Sequence, residues 1–122
     1  MAVSDSYLEF VLDQLRDIEG VTSRRMFGGA GLYARGLFFG ILADDALYLK
    51  VDEDNRPDFV GAGMKPFRPF ADRPMTMQYY LVPASVLESP ARLAEWAQRS
   101  LAAAERAREK KSRKTGRPRR GL

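Results

Sequence analysis

Cysteine and histidine are both missing from this chain of 122 residues. Their absence excludes disulfides, thiolate nucleophiles, zinc sites of the usual ligand types and imidazole acid–base chemistry together. Long apolar runs are missing too, and none approaches the ~20 residues that a helix needs to span a bilayer. The opening stretch, Met1-Ala2-Val3-Ser4-Asp5-Ser6, has neither the basic nor the apolar segment of a secretory signal. A cytoplasmic location is the expectation.

What is present suits one globular domain with a single modest core: 45% of residues are hydrophobic and 11% aromatic. Charge is unevenly placed. Residues 106–122 hold nine Lys or Arg and one acid, Glu109, whereas residues 1–105 hold eleven bases and fifteen acids. The overall +4 therefore belongs to the end of the chain, and the rest is mildly acidic. After Ala107 no apolar residue recurs until Leu122, and Gly116 and Pro118 break helices. Such a segment buries too little to offset its ordering entropy. The expected organisation is a folded domain over 1–105 and a basic, disordered tail over 106–122, with the preceding helix fraying near Lys110.

Residues 6–19 predict an amphipathic helix, with Ser6 and Glu9 in capping-box spacing and Leu8, Val11, Leu12, Leu15 and Ile18 on one face. Asp5, Glu9, Asp13 and Asp17 mark its solvated side, and Gly20 stops it. From Val21 the period becomes that of strands. Runs over 21–27, 30–34, 37–42 and 46–51 are separated by Gly28-Gly29, Arg35-Gly36 and Asp44-Asp45. Strands joined by such tight turns pair antiparallel, because a parallel return needs a crossover of about a dozen residues or more. A short helix follows near residues 54–60, with Asp54 or Asn55 as cap and Pro57 in its first turn. An irregular loop over 64–75 carries Phe67 and Phe70; residues 77–82 predict one more strand, and 83–88 a helical turn. Ser89-Pro90 then opens a longer helix with Leu93, Trp96, Ala97, Leu101 and Ala104 on one face. The fold class is α+β: a two-layer arrangement with an antiparallel sheet of 4–5 strands backed by the N-terminal and C-terminal helices.

No pattern points to a reaction. Gly28-Gly29-Ala30-Gly31 lacks the Lys-Ser/Thr of a Walker loop and opens no helix, so the glycines read as structural. Asp52-Glu53-Asp54-Asn55 begins like a calcium loop, but Pro57 stands where the sharp turn needs glycine and Gly63 where the bidentate Glu belongs. Helix capping is the better reading of that stretch. The aromatics Tyr33, Phe38, Phe39, Tyr48, Phe67, Phe70, Tyr79 and Tyr80 would stack bases only if interleaved with basic residues on an exposed sheet face. Nearby basic residues are few (Arg35, Lys50 and Arg68), so these rings are expected to fill the core between sheet and helices. The tail differs. Lys110, Lys111, Arg113, Lys114, Arg117, Arg119 and Arg120 attract phosphate through counterion release and are the candidate residues for non-specific DNA contact. Gly116-Arg117-Pro118 partly echoes a minor-groove hook, with Thr115 where such hooks carry Arg.

Arg24, Met26, Phe27, Gly28, Gly29, Gly31, Tyr33 and Gly36 resemble the N-terminal domain of the TfoX/Sxy regulators of bacterial competence, as do Phe38 or Phe39, Leu47, Tyr48, Leu49, Lys50 and Asp52. Phe59, Gly63-Met64, Pro66-Phe67, Met77, Tyr79, Tyr80, Pro83 and the helix bearing Leu93 and Trp96 extend the likeness over about residues 4–105. The resemblance implies a two-layer α+β domain, a non-enzymatic role in transcriptional regulation, and no catalytic residue, cofactor or metal. In the namesakes such a regulator acts with the cyclic-AMP receptor protein at competence promoters. A protein partner, from the transcription machinery or a regulator, is therefore implied. The basic tail stands where those regulators continue into a second domain, so a stand-alone N-terminal domain is expected. The alternative from another class is a small-ligand binder or enzyme with a pocket beside the Phe67–Phe70 loop.

Overall fold

Ser4, not Ser6, starts the first helix. In the computed structural model, which describes residues 3–26, 28–67 and 78–116 with side chains through Lys111, α1 spans Asp5–Gln14. Ser4 Oγ accepts the Tyr7 N–H at 3.2 Å. Asp45 accepts the N–H of Ser4 itself at 2.9 Å, which holds Ser4 against a sheet turn and sets the cap two residues ahead of the expected capping box. The helix also closes before the predicted residue 19: Leu15 is its C-cap, and the Arg16 N–H tightens onto the Asp13 carbonyl. Leu15 and Ile18 are buried all the same, so the apolar spacing serves the core beyond the end of helical geometry.

A five-stranded antiparallel meander follows, with strands β1 Thr22–Met26, β2 Gly29–Ala34, β3 Leu37–Ala43, β4 Ala46–Lys50 and β5 Tyr79–Leu81 lying side by side in chain order. Two predicted turns are tight hairpins. Arg35 and Gly36 have φ of 53° and 74°, and Asp44 and Asp45 each 52°. Positive φ at both central residues is what a type I′ hairpin demands. At the third turn the glycine pair serves two ends. Gly28 turns the chain with φ of 79°, whereas a Cβ on Gly29 would stand 2.3 Å from the Leu42 carbonyl oxygen. Gly29 is there to let β2 close on β3.

β3 does not keep strict alternation. Leu32 pairs with Gly40 and Tyr33 with Phe38, which leaves Phe39 as the extra residue of a bulge. Phe39 is fully buried. Leu32, Phe39, Leu42, Leu47, Leu49 and Val51 form one core cluster with Val11 of α1 and Leu15 at its C-cap. The helices α2 Arg56–Gly61, α3 Ala84–Leu87 and α4 Pro90–Gly116 close this core. Val86, Leu93, Ala97 and Leu101 are buried in it, and half-buried Trp96 meets Phe59 edge-on at 4.7 Å and 71°.

α4 does not fray near Lys110; it continues to Gly116. Residues 102–114 contain no glycine, proline or β-branched residue, and Ala, Arg, Lys and Glu are strong helix formers. Arg108 and Glu105, one turn apart, pair at 2.9 Å. Among the residues whose side chains are described, Ala104 is the last buried one of α4, and the helix runs on for twelve residues, about 18 Å. Arg117, Arg119 and Arg120 lie outside the described residues, as do Phe27, Arg68, Phe70 and Met77.

The contrast between close approach and open space is measurable. Gly29→Ala is expected to lower unfolding free energy by about 1–3 kcal/mol, because its methyl group meets backbone that has to move. Gly61→Ala, with nothing within 4 Å of the added Cβ, is expected to be neutral or to stabilise by up to about 1 kcal/mol. Urea midpoints of the two variants check both; equal midpoints would refute the close-approach account.

Candidate functional site

Opposed residues on neighbouring antiparallel strands share a face. The register therefore gathers Arg24 with Gly31, Met26 with Gly29, Tyr33 with Phe38, Ile41 with Tyr48, and Lys50 with Tyr79 on the side away from the core cluster. Of the residues that carry the resemblance, Arg24, Met26, Gly29, Gly31, Tyr33, Tyr48 and Lys50 come together here. Gly28 and Gly36 sit in turns, and Phe27 is outside the described residues.

The rings on this face touch one another. Tyr33 and Phe38 stack at 5.0 Å with 24° between planes, Phe38 meets Tyr79 at 5.6 Å, and Tyr48 meets Phe67 at 4.9 Å. The Lys50 ammonium lies 5.2 Å from the Tyr79 ring centroid. This corrects the expectation that the aromatics fill the core. Of the eight named above, only Phe39 and Tyr80, the latter 6.0 Å from Phe59, lie among the described residues on the helix side. The reason is the pleat itself: turning Leu47 and Leu49 inward turns Tyr48 and Lys50 outward, and the bulge at Phe39 sends Phe38 with them. Gly31 completes the arrangement. A Cβ there would lie 2.8 Å from a Phe38 ring carbon and 2.9 Å from Met26 Cε, so only bare backbone lets those side chains lean over β2.

Burial tunes the polar groups of the face. The Tyr79 hydroxyl is pushed up to about 12, by burial first and by neighbouring Tyr33 second. Burial and then Asp44 raise Tyr48 in the same direction. Burial lowers Lys50, opposed by Asp52, and its Nζ donates to Gln78 Oε1 at 2.9 Å.

Past Lys50 the face runs into an open groove of about 660 Å³ between the end of β4 and α4. A bidentate pair crosses it. Arg106 Nε donates to Asp52 Oδ2 at 2.7 Å and Nη2 to Asp52 Oδ1 at 2.9 Å, with Asp54 3.3 Å from the same Nη2. The hydrogen bond from Arg106 holds the Asp52 carboxyl below its usual range and raises the guanidinium in turn. Asn55 makes no helix-capping bond. Fully buried, it accepts the Asp52 N–H at 2.8 Å and donates to the Lys50 carbonyl at 3.0 Å. It thus fixes the backbone that carries both Lys50 and Asp52. The roles of Asn55 and Gln78 were not legible in the sequence, where the one reads as a cap and the other carries no pattern. Lys110 and Lys111 line the groove, opposite Glu53 and Asp54; Arg113 and Lys114 follow on α4. The groove lies at the end of β4, with Gln78 but not Phe67 among its lining residues.

Residues 13–104 match the TfoX N-terminal domain, from the last turn of α1 to the last buried turn of α4. No curated protein matches the chain.

The Asp52–Arg106 pair generates a pH signature. Because the native carboxyl is more acidic than its ordinary value of 3.8, its stabilising contribution is complete above that value and is lost as pH falls through the lowered native one. Asp52→Asn is expected to cost about 0.5–1 kcal/mol at neutral pH, as a half-exposed pair does. The gap between variant and wild type should close in acid. Denaturant melts at pH 7 and pH 3 check this, and a gap that widens on acidification would refute it.

Proposed function

The chain belongs to the TfoX N-terminal domain family, and on that premise we propose that it is a non-enzymatic module of transcriptional regulation, competence-regulator-like, that contacts DNA through the basic end of α4. The observation that carries the reading is the length of that helix. Beyond Ala104 it continues as a helical arm bearing Lys110, Lys111, Arg113 and Lys114, with no acid after Glu109. A helical arm sets its cations at fixed spacing, so less ordering entropy opposes their meeting a duplex than from a free coil. Arg106 has another task. Committed to Asp52 and Asp54, it braces the root of the arm against the sheet.

The remainder of the domain suits a protein partner. Asp5, Glu9, Asp13 and Asp17 are all exposed near α1, Asp5 pairing with Arg25 and Asp13 with Arg16, and residues 1–105 carry more acids than bases. An acidic surface and a basic arm on one small domain would bridge a regulator and the DNA it occupies. The non-enzymatic reading draws on the arrangement around Lys50: it meets Gln78 and Tyr79, with no nucleophile and base in hydrogen-bonding sequence there among the described residues. Among the described residues no helix is long and apolar enough to cross a membrane. A cytoplasmic setting fits this role.

A salt titration tests the arm. Engagement of about 5–7 phosphates gives a slope of log affinity against log salt of about −5 to −6 on any duplex, largely regardless of sequence. A full-length variant with Lys110, Lys111, Arg113, Lys114, Arg117, Arg119 and Arg120 changed to Gln, which takes the net charge from +4 to −3, should lose duplex binding while keeping its fold. Equal affinity of variant and wild type would refute the arm as the DNA contact.

A further inference from the structure

The geometry points to the outward sheet face as a binding site for unstacked bases of single-stranded nucleic acid, separate from the arm of α4. The inference goes beyond the regulatory reading and does not rest on it. Three observations converge. The first is the row of rings: Tyr33, Phe38 and Tyr79 touch in sequence across β2, β3 and β5, spaced 5.0 and 5.6 Å. Gly31 lets the first two lean over bare backbone. Stacking on such rings is sequence-tolerant, because every base has a π-face.

The second observation is charge. Among the strand residues that the register places on this face, the ionisable side chains that carry charge at neutral pH are Arg24 and Lys50. Lys65 joins them from the segment bridged to β5 through Pro66 and Tyr80, two residues before outward-facing Phe67. All three are cations. Asp52, next along from Lys50, is neutralised by Arg106. An acidic peptide would satisfy the cations but has no use for a contiguous row of rings, whereas a single strand supplies phosphates and flat bases together.

The third is the placement of Lys50. Its ammonium lies over the Tyr79 ring, where a base would stack. A base that takes this place releases the ammonium to the phosphate beside it, and Gln78, which now accepts from Lys50, is freed for a base edge. Burial that disfavours the charged lysine is relieved by the phosphate.

The test uses the full-length chain with fluorescent dT12, U12 and a duplex of equal length, read by anisotropy at 50 mM salt. The dT12 and U12 arms distinguish DNA from RNA as the source of the bases, and the ring variants separate binding at this face from charge-driven binding by the arm. Tyr33→Leu, Phe38→Leu and Tyr79→Leu should each weaken single-strand binding by about 5- to 150-fold, the range of one lost stack. Duplex affinity should stay unchanged. Tyr79→Phe keeps the ring and should keep the affinity, and Lys50→Gln should reduce the single-strand salt slope by about 0.7. Should a leucine variant fail to fold, photocrosslinking of wild-type chain to 5-iodouracil U12 replaces it, with crosslinks expected on the peptides that hold Phe38 and Tyr79. Crosslinks confined to α4, folded leucine variants with wild-type single-strand affinity, or no binding of dT12 or U12 would each overturn the proposal.

Discussion

The single extra residue in β3 governs what this domain shows to its surroundings. A strand that alternates without interruption places every second side chain on one side. The bulge at Phe39 breaks that count, so Phe39 joins Leu42 in the core cluster while Phe38 and Ile41, three positions apart, emerge together on the far side. Neighbouring strands keep their own alternation and follow. The apolar demand of the helices on Leu47 and Leu49 is thereby also the cause of the outward set, since Tyr48 and Lys50 have nowhere else to go. Inner packing and outer surface are two products of one pleat.

A second theme is how the free end of α4 is tied to the sheet. Apolar burial ends at Ala104, and from there the helix is held by polar contacts. Arg106 reaches Asp52 and Asp54 on the segment that leaves β4; Arg99, still within the buried stretch, pairs with Asp58 at 3.2 Å. Buried Asn55 makes the first of these contacts possible by bonding the backbone on both sides of Val51. A half-exposed ion pair contributes little stability alone. Its worth here is directional, because it aims the helix that carries Lys110, Lys111, Arg113 and Lys114.

Much of the architecture was legible before any coordinates. Antiparallel pairing followed from the shortness of the turns, and Arg35-Gly36, Asp44-Asp45 and Gly28 occupy those turns with positive φ. The buried stripe of α4 was visible in the spacing of Leu93, Ala97, Leu101 and Ala104. The misses share a physical cause, which is tertiary contact overriding a local pattern. Ser6 and Glu9 have the better capping spacing, yet Asp45, forty-one residues from Ser4, decides the cap. Asn55 looks like a cap but serves β4 instead. Low apolarity beyond Ala107 suggests disorder, yet uninterrupted helix formers attached to an anchored helix carry it to Gly116. The aromatics were misplaced because hydrophobicity alone does not say which side of a sheet a ring occupies, and the bulge that decides it leaves no trace in composition.

The order of the strands has a kinetic meaning. The strands pair in chain order, and the two central hairpins close over two residues apiece. Contacts of such short sequence separation cost little loop entropy, so the sheet can grow one hairpin at a time. The long jump from β4 to β5, and the docking of α4 across β3 and β4, remain for a later stage. On this topology the domain should fold rapidly for a sheet protein, with the β2–β3–β4 unit as its nucleus and the terminal helices sealing it. The chain would therefore set Tyr33 against Phe38 before Tyr79 and the basic arm join them.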